Sequence, residues 1–202
     1  MKTLLLNGLC AAALLMGTVA CDSKPDSVEQ AQNTNERKID AGTPDSTAAG
    51  SDLKDAREFD TEFMTKAASG GMLEVQLGQA VAKAATTPQA KMVANHMIED
   101  HTKVNNELKA LAAKMNVTLP TTLGADAQSV YDDVTKKKGI EMDKEYLDKM
   151  ESDHKDDIKE FEEASTKAAS PELRAFATKT LPALREHLSM IQKDKPMVDK
   201  MK

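Results

Sequence analysis

The stretch Met92–Leu111, MVANHMIEDHTKVNNELKAL, decides how the chain folds. Val93, Met97, Val104, Leu108 and Leu111 recur at the 3.6-residue period of an amphipathic helix. His101 falls on that apolar seam, so the pattern predicts an imidazole pointing into the core. Outward from it, three more long helical patterns each carry one polar residue in the same predicament: Glu74, His154 and His187.

The central helix is predicted to open at Thr87-Pro88, a capping hydroxyl followed by a proline at the first helical position, and to run to about Asn116. Before it, Leu53 to Thr86 places Phe59, Phe63, Ala67, Leu77 and Val81 near one face. Gly70-Gly71 inside that run marks a kink, a break or a close helix contact. After it, Val117 to Gly124 reads as a loop and Ala125 to Lys138 as a shorter helix. Glu141 to Ala169 carries Tyr146, Leu147, Met150, Ile158 and Phe161 on its seam. Ser170-Pro171 repeats the cap signature for a last helix that reaches about Lys195, kinked at Pro182. Nothing alternates at period two. The fold class is therefore all-α, a four-helix bundle with a short extra helix in the crossover between the second and third long helices. A weak internal repeat supports two hairpins: AATTPQAKMVA (84–94) resembles AASPELRAFA (168–177), and IEDH (98–101) resembles LREH (184–187). The methionines outside the N-terminus sit singly on the seams, as gap-fillers rather than copper ligands.

Residues 1–20, MKTLLLNGLCAAALLMGTVA, form a lysine-led apolar run ending in small residues, which is an export signal. Thr18-Val19-Ala20-Cys21 resembles a bacterial lipobox, with Thr18 where that pattern more often has leucine. It predicts a chain that begins at a lipidated Cys21, anchored to an envelope membrane and facing the periplasm. Several acyl chains, at about 0.8 kcal/mol per buried CH2, suffice for stable anchoring. Asp22 resembles the residue that retains enteric lipoproteins in the inner membrane, a rule that is not general, so inner and outer membrane both stay open. Residues 21–51 hold two large aliphatics, Val28 and Ile39, and are expected to form a disordered tether. The folded domain is then 52–195, with a tail at 196–202.

The net charge of −6 excludes a strongly basic protein. Its one basic run, Lys136–Lys138, reads as the cationic end of a helix rather than a nucleic-acid patch, so no nucleic-acid partner is expected. Protein partners are open, a homo-oligomer among them.

The four buried polar residues share a depth. Glu74 lies 13 residues before Thr87 and His101 lies 13 after Pro88, about 20 Å from that turn at 1.5 Å per residue. His154 and His187 lie 16 residues before Ser170 and after Pro171, about 24 Å from the second turn. One carboxylate and three imidazoles at one level form a ligand set for Zn, Fe, Mn or Cu. The alternative is a hydrogen-bonded polar layer that specifies helix register. Asp100, Asp153 and Glu186 each precede a histidine and diverge from it by about 100° around the helix. Asp157 and Glu151 lie one turn from His154, within reach of a supporting contact. His96 sits on a flank.

From about Phe59 to Ile191 the blocks FMTKAASGGMLEVQLGQAV, MIEDHTKVNNELKALA, YLDKMESDHKDDIKEFE and FATKTLPALREHL resemble a bacterial envelope family of unknown function. That family is described as ferritin-like and often labelled putative outer-membrane protein. The resemblance implies an exported ferritin-like bundle in which Glu74, His101, His154 and His187 match recurrent polar positions. It implies no established reaction and no catalytic residue. A metal-dependent oxidoreductase and a metal-free partner-binding module are the competing functions. The first is weakened because the Glu-x-x-His spacing that di-iron bundles place on two helices occurs here once, at Glu151 and His154.

Overall fold

The computed structural model describes residues 25–42 and 48–202. The predicted signal 1–20 and Cys21 lie outside the described residues. Six helices occur among those described: α1 Ser27–Gly42, α2 Ala48–Ala84, α3 Pro88–Met115, α4 Ala125–Thr135, α5 Ile140–Lys167 and α6 Pro171–Asp199. No strand is present among them, and no described helix is long and apolar enough to cross a membrane.

The caps predicted for α3 and α6 form as expected. Thr87 Oγ1 accepts from Ala90 N at 3.2 Å, and Ser170 Oγ accepts from Leu173 N at 3.2 Å, each ahead of a proline in the first turn. α2 packs chiefly on α3 and α5 on α6, while α3 against α6 and α2 against α5 join the two hairpins.

A buried aspartate from each hairpin grips the turn of the other. Asp143 of α5 accepts from Thr86 N at 2.9 Å and Thr87 N at 2.7 Å, at the α2–α3 turn. Asp60 of α2 accepts from Ala169 N at 2.8 Å and Ser170 N at 2.9 Å, at the α5–α6 turn. These contacts put the start of α5 beside the start of α3, so α3 and α5 run parallel and the connection carrying α4 spans the length of the fold.

The apolar core is in two parts. Leu77, Val93, Met97, Leu147, Met150 and Ile191 belong to one; Phe63, Met64, Leu108, Phe161, Leu173 and Leu184 belong to the other. The seams of α2, α3, α5 and α6 each pass from one to the other through a polar residue.

Three expectations need correction. Within the segment expected as a disordered tether, Ser27–Gly42 is helical and buries Ala31, Asn35 and Ile39, spaced one turn apart. Asp26 starts it by accepting from Val28 N at 2.8 Å and Glu29 N at 2.9 Å, while Glu29 accepts from Asp26 N at 3.3 Å, a reciprocal capping box. α1 is held by polar groups that satisfy the backbone of the α3–α4 connection, which an argument from apolar content does not count. Asn35 Nδ2 donates to Thr118 O at 2.9 Å and its Oδ1 accepts from Thr118 N at 2.7 Å; Asp26 accepts from Ala125 N at 2.7 Å. Secondly, the expected tail at 196–202 is helical to Asp199: α6 runs through Pro182 and Pro196, and Val198 is fully buried in the first core part. A proline removes one hydrogen bond, and burial of Val198 holds the last turn beyond it. Thirdly, α4 ends at Thr135, before the lysine run. Lys136 pairs with Asp133 at 2.6 Å and Lys137 pairs with Glu145.

Replacing Asn35 with Ala leaves both polar groups of Thr118 without their partner. Each such loss costs about 1–3 kcal/mol. Urea denaturation is expected to show a lower midpoint, and an unchanged midpoint would mean that α1 contributes nothing to stability.

The adjacent glycines of α2 make opposite predictions. A Cβ on Gly70 meets nothing within 4 Å, whereas one on Gly71 falls 2.0 Å from Asn105 Oδ1, whose amide nitrogen donates to Gly71 O at 2.8 Å. Gly70→Ala should stabilise by about 0.5–1 kcal/mol through helix propensity. Gly71→Ala should destabilise by about 1–3 kcal/mol, because overpacking outweighs that gain. The two thermal midpoints should move in opposite directions.

Candidate metal centre

Glu74, His101, His154 and His187 come from α2, α3, α5 and α6 and are each at most 3 % exposed. They meet in the layer between the two core parts. The three imidazole rings pack with centroids 5.2–5.6 Å apart. One ring nitrogen from each lies within 4.8 Å of the other two.

The outer hydrogen bonds determine what the rings present inward. His154 Nδ1 lies 3.1 Å from the carbonyl oxygen of Met150, which can only accept. Nδ1 therefore carries the proton, and Nε2 is a lone pair. His187 Nε2 lies 3.1 Å from Asp100 Oδ2. Burial works against ionisation of Asp100, yet hydrogen bonds from His187 and Lys103 prevail and hold its carboxyl below the ordinary value. His187 Nε2 therefore donates to a carboxylate, and its Nδ1 is also a lone pair. These two lone pairs face each other at 3.3 Å.

The remaining members add acceptors. His101 Nδ1 is 2.5 Å from Glu74 Oε2, and its Nε2 is buried without a hydrogen-bond partner. Glu74 Oε1 lies 3.5 Å from His154 Nε2 and has no hydrogen-bond partner either. Partly buried Asp157 brings a carboxylate oxygen within 4.8 Å of ligand atoms of Glu74 and His154. Since His154 has one uncommitted nitrogen, the imidazole set and the Glu74–His154–Asp157 set describe one centre rather than two independent ones.

Burial sets the protonation of this layer. It pushes the His101 imidazole down to about 4 and His154 well below the ordinary value, the latter reinforced by His101 and His187. His187 is lowered by burial and by His101, with Asp100 opposing. Burial raises Glu74 well above the carboxylate range, helped by Asp153, and raises Asp157 with help from Glu74 and Asp153. Without a cation these shifts favour neutral imidazoles, and neither His154 Nε2 nor His187 Nδ1 carries a proton of its own to relieve their contact. A divalent ion among these groups favours the states that ligation needs: neutral imidazole and ionised carboxylate.

Sequence reasoning placed the four central residues and proposed Asp157 as a supporting group. It set Asp100 aside because Asp100 diverges from His101; the aspartate instead serves His187 on another helix, a contact no spacing within α3 reveals. Tyr146 was taken as an apolar seam residue, and its fully buried hydroxyl has no hydrogen-bond partner among the described residues. Glu151 faces outward to Lys155 at 2.6 Å, and His96 and Glu186 are exposed.

The lowered His101 value makes metal-free stability depend on pH. Between about 6.5 and 4 the unfolded chain binds a proton that folded His101 does not, so this imidazole withdraws stability as pH falls through that window. The raised carboxyls of Glu74 and Asp157 act in the opposite direction, so the parent must be compared with His101→Gln, which keeps them. In chelator, the parent should lose stability relative to the variant from pH 6.5 to 4 in urea titrations. A constant difference would mean that His101 is not buried neutral.

A family model described as a domain of unknown function, DUF4142, matches residues 43–193. No curated protein and no solved structure matches the chain. The match begins just ahead of α2, runs nearly to the end of α6 and takes in all four residues of the buried layer. The protein belongs to the DUF4142 family.

Proposed function

We propose that the protein is an exported, lipid-anchored, ferritin-like four-helix bundle that binds one transition-metal ion in its interior. The observation that carries the metal reading is the 3.3 Å approach of His154 Nε2 and His187 Nδ1 with both outer nitrogens committed as donors. A cation between them turns a repulsive contact into ligation, and the carbonyl and carboxylate behind the rings are the supporting partners that ligating histidines have. Glu74, His101 and Asp157 complete the donor set. A majority of imidazoles suits Zn, Cu or Fe better than Mn. Two antiparallel hairpins joined by a long crossover support the ferritin-like reading. Export and anchoring rest on the apolar run of residues 1–20 and the Thr18–Cys21 junction.

The test is metal analysis of full chain extracted from membranes without chelator. One equivalent of a transition metal per chain, lost in His154→Ala and His187→Ala, is the expected result, with an intact mass beginning at acylated Cys21. A parent that carries no metal and takes up neither zinc, copper nor iron would leave the polar layer a device for helix register. An unmodified N-terminus elsewhere would refute the anchor separately.

A further inference from the structure

A buried centre needs a way in. Between α1, α2, α4 and α5 lies an open groove of about 580 Å³ whose lining includes the carboxylates Asp126, Asp153, Asp156, Asp157 and Glu160. The groove's one lysine, Lys66, is paired with Glu62 at 2.8 Å, and Asp156 is paired with Lys159 at 2.8 Å. Asp126, Asp153, Asp157 and Glu160 form no salt bridge among the described residues.

On the inner side, a small space of about 10 Å³ is lined by Glu74, His101 and Asp157 among mostly apolar side chains. That is the room of about one water-sized sphere. Asp157 lines both spaces. Two further oxygens mark the line between them: Asp153 Oδ2 at the groove and Glu74 Oε1 inside are both buried without a hydrogen-bond partner. Glu74 is 1 % exposed and its carboxylate lies within 4.8 Å of that of Asp157.

We infer that this groove is the port through which a divalent cation reaches the imidazoles, with Asp157 handing the ion from the groove to Glu74. The inference rests on the metal-centre reading above. A cleft lined by one sign of charge concentrates counter-ions and raises association rates by about 10- to 1,000-fold, an advantage that salt removes. Oxygen ligands in sequence let a hydrated cation exchange its water a few ligands at a time before imidazole binds it.

The experiment follows cobalt(II) uptake by the full chain in stopped flow, using the visible absorption of the bound ion. The groove variant Asp126→Asn/Asp156→Asn/Glu160→Gln leaves every interior residue in place. The control variant Glu99→Gln/Glu107→Gln/Glu162→Gln removes the same charge from exposed sites on α3 and α5 outside the groove. The groove variant is expected to bind the same equivalents at least tenfold more slowly at low salt and to lose most of the parent's salt dependence, while the control keeps the parent's rate. Equal rates for groove variant and parent overturn the port, as does equal slowing by the control, which would make net charge the cause. A parent that never binds cobalt overturns the centre and, with it, the port.

Discussion

Two imidazole nitrogens that face each other without a proton between them set the terms for the rest of this structure. The carbonyl of Met150 and the carboxylate of Asp100 fix the outer nitrogens of His154 and His187 as donors, and the layer is too deeply buried for either ring to charge readily. An arrangement of this kind is costly unless something positive occupies it. The surroundings supply what a cation requires: two carboxylates, a third imidazole and an apolar shell above and below that excludes water and strengthens every charge interaction.

The scaffold is built to hold that layer at a fixed level. Each hairpin closes through a proline-led cap, and each is clasped by a buried aspartate from the other. With Asp143 at one end and Asp60 at the other, neither hairpin can slide along its partner without stripping backbone N–H groups of their acceptors. Gly71 allows Asn105 to reach the backbone of α2 one turn from the site, which fixes α2 against α3. The polar layer thus sits in a frame whose register is set at three levels.

Much of this was legible in the chain. Helical periodicity and two cap signatures located four long helices, and a polar residue on each apolar seam located the layer. Counting residues from the turns was enough to predict that the four would meet, because rise per residue is constant. Contacts across helices were not legible. Asp100 serves the layer through His187, a neighbour that no intrahelical spacing names. α1 escaped because it is held by Asn35 and Asp26 on distant backbone, although the Asp26–Glu29 capping box was a visible sign of its start. Asp60 and Asp143 could have been found: each lies 27 residues before the cap of its own hairpin, Thr87 and Ser170, an extension of the internal repeat.

The central claim is a statement about protons on ring nitrogens, and nitrogen-15 NMR of the imidazoles reads it directly. In the metal-free protein at neutral pH, His154 should be protonated at Nδ1 alone and His187 at Nε2 alone. Adding one equivalent of zinc should then move the resonances of His154 Nε2 and His187 Nδ1 while the outer nitrogens keep their protons. A proton found on either inward nitrogen of the metal-free protein, or inward nitrogens that do not respond to zinc, would contradict the account.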